Sequence, residues 1–150
     1  MLLVLLVFSV VVWGEMISNL KLSSVSDFSY TMGGKQSVSI TLRGKDREHY
    51  LELTIHRNKI QNNFEANVKK SAHNKSINAS ATWDGYYSLN YRQKTSIYIK
   101  ITKIDKKNKI ALLDIRATLY NYSKEKSLSF NLKDILIDGE NFDNLLKQIK

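Results

Sequence analysis

The chain has 150 residues, 43% of them apolar and 25% charged, with no Cys and no Pro. Those proportions exclude a disordered tail, a collagenous repeat and a disulfide-stapled scaffold, and leave one ordinary globular domain. Lys and Arg number 23 against 14 Asp and Glu, a net +9 held in the middle third: residues 56–75 carry +4 and residues 91–110 carry +6, against −1 for residues 76–90. A surplus so placed favours anionic partners such as phosphate backbones, an acidic polysaccharide, an anionic lipid surface or a protein, with solubility as the plainer reading.

Met1 to Trp13 reads MLLVLLVFSVVVW, with Ser9 its only polar residue, followed by Gly14 and the first charge at Glu15. The run is shorter than the roughly 20 apolar residues a spanning helix needs. It suits the apolar core of a secretory signal, with Val12 and Gly14 as small residues before a cut, although no Lys or Arg precedes it. The expectation is a signal peptide over residues 1–14 and a single β domain over residues 15–150, extracytoplasmic, either secreted or periplasmic. An uncleaved membrane anchor and a buried core strand are the alternatives. With no Cys to acylate, the lipoprotein anchor is excluded.

From Lys35 onward apolar residues recur with period two, which in a strand places them on one face. Val38, Ile40 and Leu42 form one such run. After a turn at Gly44, Lys45 and Asp46, Leu51, Leu53 and Ile55 form the next, and the two read as a hairpin. Ile60, Phe64, Ala66 and Val68 line a third strand, residues 69–75 a polar loop, and Ile77, Ala79, Ala81 and Trp83 a fourth strand. Asp84 and Gly85 mark a two-residue hairpin turn in which Gly supplies a positive φ. Tyr87, Leu89 and Tyr91 follow with an inward face.

Ile97, Ile99 and Ile101 then alternate with Tyr98, Lys100 and Thr102, one face buried and the other wet and basic. Asp105 to Lys109 is a turn. Ala111, Leu113, Ile115, Ala117 and Leu119 make another strand, and Leu128, Phe130 and Leu132 one more. Only the tail changes period: Phe142, Leu145, Leu146 and Ile149 fall on one helical stripe, with Asn141 as its N-cap, and this helix is expected on an open edge or end of the sheet. The fold class is all-β: an antiparallel β-sandwich or partly open barrel of about 7–9 strands with a short C-terminal helix.

This order of elements resembles a family of exported β domains, often lipoproteins, found largely in Bacteroidota. Members open with a Phe and a short strand ending in Asn-Gly-Lys, and residues 28–35 here read FSYTMGGK, with Gly33 in the Asn position. They also carry an Ile-Thr-x-x-Asp-x-x-Asn turn, matched by ITKIDKKN from Ile101 to Asn108. The chain departs where a Ser-Gly-x-Phe strand would follow, since Leu112, Leu113 and Ile115 stand there, and it lacks the lipidated Cys. The resemblance implies a sandwich-like or barrel-like fold and an extracytoplasmic site, and it supplies no catalytic residues.

No Ser lies in a Gly-x-Ser-x-Gly elbow, and the three His are separated. His49 and His56 stand seven apart in one expected strand, on opposite faces and about 23 Å apart, too far to share a metal. His73 sits alone in the polar loop. Asp134, Asp138, Glu140 and Asp143 match no Ca²⁺ loop and suit a helix N-terminus. Gly33 and Gly34 lack the Lys-Ser or Lys-Thr of a phosphate loop. The reading is therefore of a non-enzymatic domain with no catalytic or metal-binding residue and no cofactor.

One constellation is aromatic and basic together, with Trp83, Tyr86, Tyr87, Tyr91 and Tyr98 interleaved with Arg92, Lys94, Lys100 and Lys103. Such faces stack on sugar rings or bases while their cations track acidic groups, although Tyr is also a common strand residue. The candidate binding residues are Tyr86, Arg92, Tyr98, Lys100 and Lys103. Export counts against nucleic acid as the partner. The alternative function is a small carrier whose barrel interior, lined by Leu53, Ile99 and Leu113, holds an apolar ligand. Three Asn-x-Ser sequons, at Asn74, Asn78 and Asn121, matter only in a eukaryotic secretory pathway.

Overall fold

The computed structural model describes residues 16–69 and 76–147, the side chains of residues 28–31 apart. Ten strands follow in chain order: β1 (Met16–Ile17), β2 (Lys21–Met32), β3 (Lys35–Arg43), β4 (Tyr50–His56), β5 (Glu65–Lys69), β6 (Ile77–Thr82), β7 (Tyr86–Ser88), β8 (Ser96–Asp105), β9 (Ile110–Asn121) and β10 (Lys126–Asp138). A 3₁₀ turn at Arg57–Lys59 follows β4, and helix α1 (Gly139–Leu146) follows β10. All ten belong to one sheet in the order β1-β10-β9-β7-β6-β4-β3-β2, with β8 against β9 and β5 against β8. Every pair is antiparallel except β1 with β10. The fold is all-β, as the alternation predicts. β1 and β2 precede the stretch in which alternation is visible, and they carry the number of strands past nine.

The sheet bends on itself because each strand buries one face. Val38, Ile40 and Leu42 of β3, Leu51, Leu53 and Ile55 of β4, and Ile97, Ile99 and Ile101 of β8 join Ala111 to Leu119 of β9 in one core. Leu53, Ile99 and Leu113, the residues of a carrier interior, pack within that core at no more than 1% exposure. Register shifts interrupt the alternation in β2, between Leu22 and Ser24 and between Phe28 and Met32, and also in β10 and β8. In β10 the shift between Leu132 and Ile135, with Asp134 at φ 52°, moves the buried phase from Leu128, Phe130 and Leu132 to Ile137. In β8 the shift between Ile101 and Lys103 turns Lys103 outward, where strict period two would have aimed it into the core.

Hairpin chemistry differs from expectation in an instructive way. The two-residue turn with both φ positive lies at Gly33–Gly34, between Met32 and Lys35, which pair. At the β6–β7 turn Thr82 pairs with Tyr86, so the loop is three residues, Trp83 to Gly85, and Gly85 has no positive φ. Gly is needed there for space, since a Cβ would meet the Asn121 side-chain nitrogen at 2.5 Å. β7 ends at Ser88, so alternation lapses: Tyr87 is buried, whereas Tyr91, expected in the core, is 49% exposed. Ile60 and Phe64 precede β5, which begins only at Glu65, and His49 precedes β4. The expected loop over residues 69–75, with His73, lies largely outside the described residues, as do residues 1–15 and Ile149.

The sheet is not closed by hydrogen bonds, and α1 covers the seam, packing on β2, β9 and β10. Asn141 is not the N-cap. Asp138 holds that position without a side-chain cap, and the Asn141 oxygen instead accepts the Val25 N–H at 2.7 Å. One turn on, the Asn144 amide donates to the Val25 carbonyl at 3.0 Å. The two amides thus satisfy the outward-facing backbone of an edge strand, the group most exposed to unwanted pairing.

Candidate functional site

Antiparallel pairing gathers the Gly33–Gly34 turn, the 3₁₀ turn, the β8–β9 hairpin and the C-terminus of α1 at one end of the sheet. These segments line an open pocket of about 1310 Å³. Five cationic side chains line it, Lys35, Arg57, Lys103, Lys106 and Lys147, against one carboxylate, Asp105. Ile60, Ile104, Leu145 and Leu146 add an apolar wall that is continuous with the core.

Each cation is placed by local structure. Arg57 opens the 3₁₀ turn, and its side chain is only 10% exposed. Its Nη1 donates to the carbonyls of Asn144 at 3.0 Å and Lys147 at 2.9 Å, groups that a helix leaves unpaired at its C-terminus. Its Nη2 pairs with Asp27 of β2. Lys147 reaches the other Asp27 oxygen at 2.9 Å. Hydrogen bonding from Lys147, with the Arg57 charge beside it, holds the Asp27 carboxyl below its ordinary range.

Asp105 accepts the Asn108 backbone N–H at 3.0 Å and the Asn108 side-chain amide at 2.8 Å, so the residues of the ITKIDKKN pattern do form a turn. Those Asn108 bonds, with Lys103 3.5 Å away, hold the Asp105 carboxyl below its ordinary range. Lys35 and Lys106, both exposed, have no carboxylate within ion-pair distance among the described residues. Among the described residues the pocket wall holds no Ser, Thr, Tyr, His or Cys, and its charged groups are the five cations and Asp105. No group of three or more His, Cys, Asp or Glu suited to a metal ion occurs among the described residues.

The five residues singled out from the sequence are not brought together. Lys103 lines the pocket. Tyr98 and Lys100 lie on the outward face of β8; Lys103, five residues beyond Tyr98, is roughly 16 Å along the strand. The Arg116 guanidinium covers the Tyr98 ring at 4.2 Å, and Lys100 lies 3.8 Å from Glu65. Tyr86, 64% exposed, begins β7 at the opposite end, and Arg92 donates from Nε to the Tyr91 hydroxyl at 2.8 Å. Lys35, Arg57, Lys106 and Lys147, which complete the pocket, carry no local sequence signal beyond charge.

At that opposite end Asp84 accepts from the Tyr87 hydroxyl at 2.6 Å and pairs with Lys124 and Lys126. Bonds from Lys126, Tyr87 and Lys124, in that order, hold its carboxyl far below the ordinary value of 3.8. Burial, then the Asp84 carboxylate, pushes the Tyr87 hydroxyl up. A carboxyl depressed on folding contributes stability that is present above its unfolded pKa and lost as pH falls through the folded one. Acid unfolding of the wild type should therefore steepen below pH 3.8. Asp84→Asn should flatten that limb while leaving the slope between pH 5 and 8 unchanged, as followed by urea midpoints across pH.

His49 is satisfied by Asp46 and stacks on Trp83 with centroids 4.2 Å apart, and His56 is buried with Nε2 2.6 Å from the Met32 carbonyl. Asn121 is buried, with its oxygen accepting the Lys124 N–H at 3.0 Å, whereas Asn78 is exposed and Asn74 lies outside the described residues. No helix of the described residues is long and apolar enough to cross a membrane. No family model, curated protein or solved structure matches the chain.

Proposed function

We propose that this chain is an exported, non-catalytic β domain that binds an anionic partner, and that it does so in the basic pocket beside α1. The observation that carries the reading is the surplus of positive charge at the pocket wall: Asp27 behind it is shared by Arg57 and Lys147 and Asp105 lies by Lys103, whereas Lys35 and Lys106 are left without acidic partners among the described residues. A concave wall of low-dielectric material concentrates such a field and raises the local concentration of anions. The outward face of β8 is the weaker candidate, because Arg116 occupies a face of Tyr98 and Glu65 faces Lys100. Export is supported by the apolar run from Met1 to Trp13 and by the resemblance to exported domains of Bacteroidota; it makes nucleic acid the less suitable anion.

Retention on immobilised heparin, a generic polyanion, tests the site. Lys35→Glu with Lys106→Glu is compared with Lys45→Glu with Lys94→Glu, an equal change of charge at exposed positions outside the pocket. The pocket variant should elute at clearly lower salt than the control variant, since screening weakens contacts that depend on charge. Equal shifts for the two variants mean that binding follows overall charge and that the pocket is not the site.

A further inference from the structure

We propose that the ligand of this pocket is a single-chain anionic amphiphile taken up as a monomer, of the type of a free fatty acid; the inference rests on the anion-binding reading above. The pocket wall is divided by chemistry. Lys35, Lys103 and Lys106 are exposed and supply positive charge, whereas Ile60, Ile104 and Leu146 are half-buried and pack on the hydrophobic core. Leu145 beside them is buried.

An inorganic anion needs the cations and gains nothing from an aliphatic wall. An acidic sugar is recognised by aromatic faces and planar amides together; Gln36, Asn58, Gln61 and Asn62 supply amides to the wall, Asn62 being already bonded to the Ile104 backbone, but no aromatic ring lines the pocket among the described residues. A carboxylate at the end of an alkyl chain uses both parts of the wall. The volume, about 1310 Å³, lies above the roughly 300–1,000 Å³ of ordinary small-molecule sites, leaving room for a head group and a chain. A cationic head group would meet the same lysines with the wrong sign.

Titration calorimetry on the protein recovered from its host, with caprate, laurate, inorganic phosphate and dodecyltrimethylammonium as probes, tests the assignment. Laurate should bind about tenfold or more tightly than caprate, because two methylenes at about 0.8 kcal/mol each amount to that ratio. Lys35→Glu with Lys106→Glu should weaken laurate at least tenfold, with Lys45→Glu and Lys94→Glu unchanged. Leu146→Asn should erase the dependence on chain length; if it fails to fold, the charge-reversal pair and the chain-length ratio carry the test.

Phosphate binding as tightly as laurate overturns the amphiphile while the anion pocket stands. Equal binding of the cationic amphiphile overturns it too. So does association with phosphatidylglycerol vesicles in the absence of any monomer binding. No probe bound, together with equal heparin shifts for the two double variants, removes both readings at once.

Discussion

Replacing Phe130 by Ala is expected to cost about 3–5 kcal/mol, the range for deleting a fully buried aromatic ring. Phe130 is 1% exposed on β10 and pairs in register with Ala117 of β9 on one side and Ile17 of β1 on the other. Ala117 is too small to fill the space, and Ile17 sits in a two-residue strand whose pairing is with β10 itself, so the loss of the ring also weakens the seat of β1. Trp83 packs edge-on against the ring at 6.3 Å and in turn supports His49. The loss therefore reaches the β6–β7 turn as well as β10. Urea unfolding should show a much lower midpoint with an unchanged slope, the sign of lost stability rather than a changed denatured state. Leu136→Ala on the same strand, at a side chain 47% exposed, should move the midpoint little. Comparable losses at the two positions would mean that β10 does not bury the face assigned to it.

The strands that alternation revealed are those whose stability comes from burying side chains. β3, β4, β8 and β9 each place every second side chain in the apolar core over most of their length, so their apolar residues repeat with period two even where Ser37, Ser39, Thr54 and His56 are buried on the other face. β2 is different. It buries Val25 and packs Leu22 on the core, but register shifts between Leu22 and Ser24 and between Phe28 and Met32 break its period, and much of its hold comes from the β3 ladder and from Asn141 and Asn144 on the Val25 backbone, which leave no mark on the side-chain pattern. The turn at Gly33–Gly34 has the plain signature of a two-residue hairpin, but alternation showed no strand before it, and only the resemblance over residues 28–35 pointed to one. Asp84–Gly85 misled for the opposite reason: Gly85 is required by the nearness of Asn121, a contact from 36 positions away that local geometry cannot foreshadow.

The pocket was less legible than the fold. Its cations come from the starts of β3 and the 3₁₀ turn, from the β8–β9 hairpin and from the end of α1, and over a hundred positions separate Lys35 from Lys147. A search for clustered aromatic and basic residues finds neighbours in sequence, and so it collected Tyr86 and Arg92 at one end of the sheet with Lys103 at the other. Lys103 itself reaches the pocket side only because of the bulge after Ile101. What was readable was the sign of the charge in residues 91–110, since three of the residues in and beside that hairpin, Lys103, Lys106 and Asp105, line the wall.

Arg57→Met should cost about 3 kcal/mol and detach α1 before the sheet unfolds. Bonds from a charged group to backbone or carboxylate acceptors contribute roughly 1.5–3 kcal/mol each, though not additively. A Met fills similar space while removing every donor. The Asn144 and Lys147 carbonyls then lose the guanidinium, and Asp27 keeps Lys147 alone. Arg57→Lys should recover only part of the loss, because a single ammonium cannot fork between the helix end and Asp27. Hydrogen exchange distinguishes a local from a global effect. The Val25 amide, bonded to Asn141, and the amides of residues 140–146 should lose protection in excess of the global destabilisation, while Ile99 and Ile115 track it. A uniform loss would mean that α1 and the sheet unfold as one unit. Because Leu145, Leu146 and Lys147 form one wall of the pocket, the same substitution should weaken laurate binding at temperatures where the sheet is still folded. Arg57 thus ties the seam of an open sheet to the shape of its basic pocket, and opening one disassembles the other.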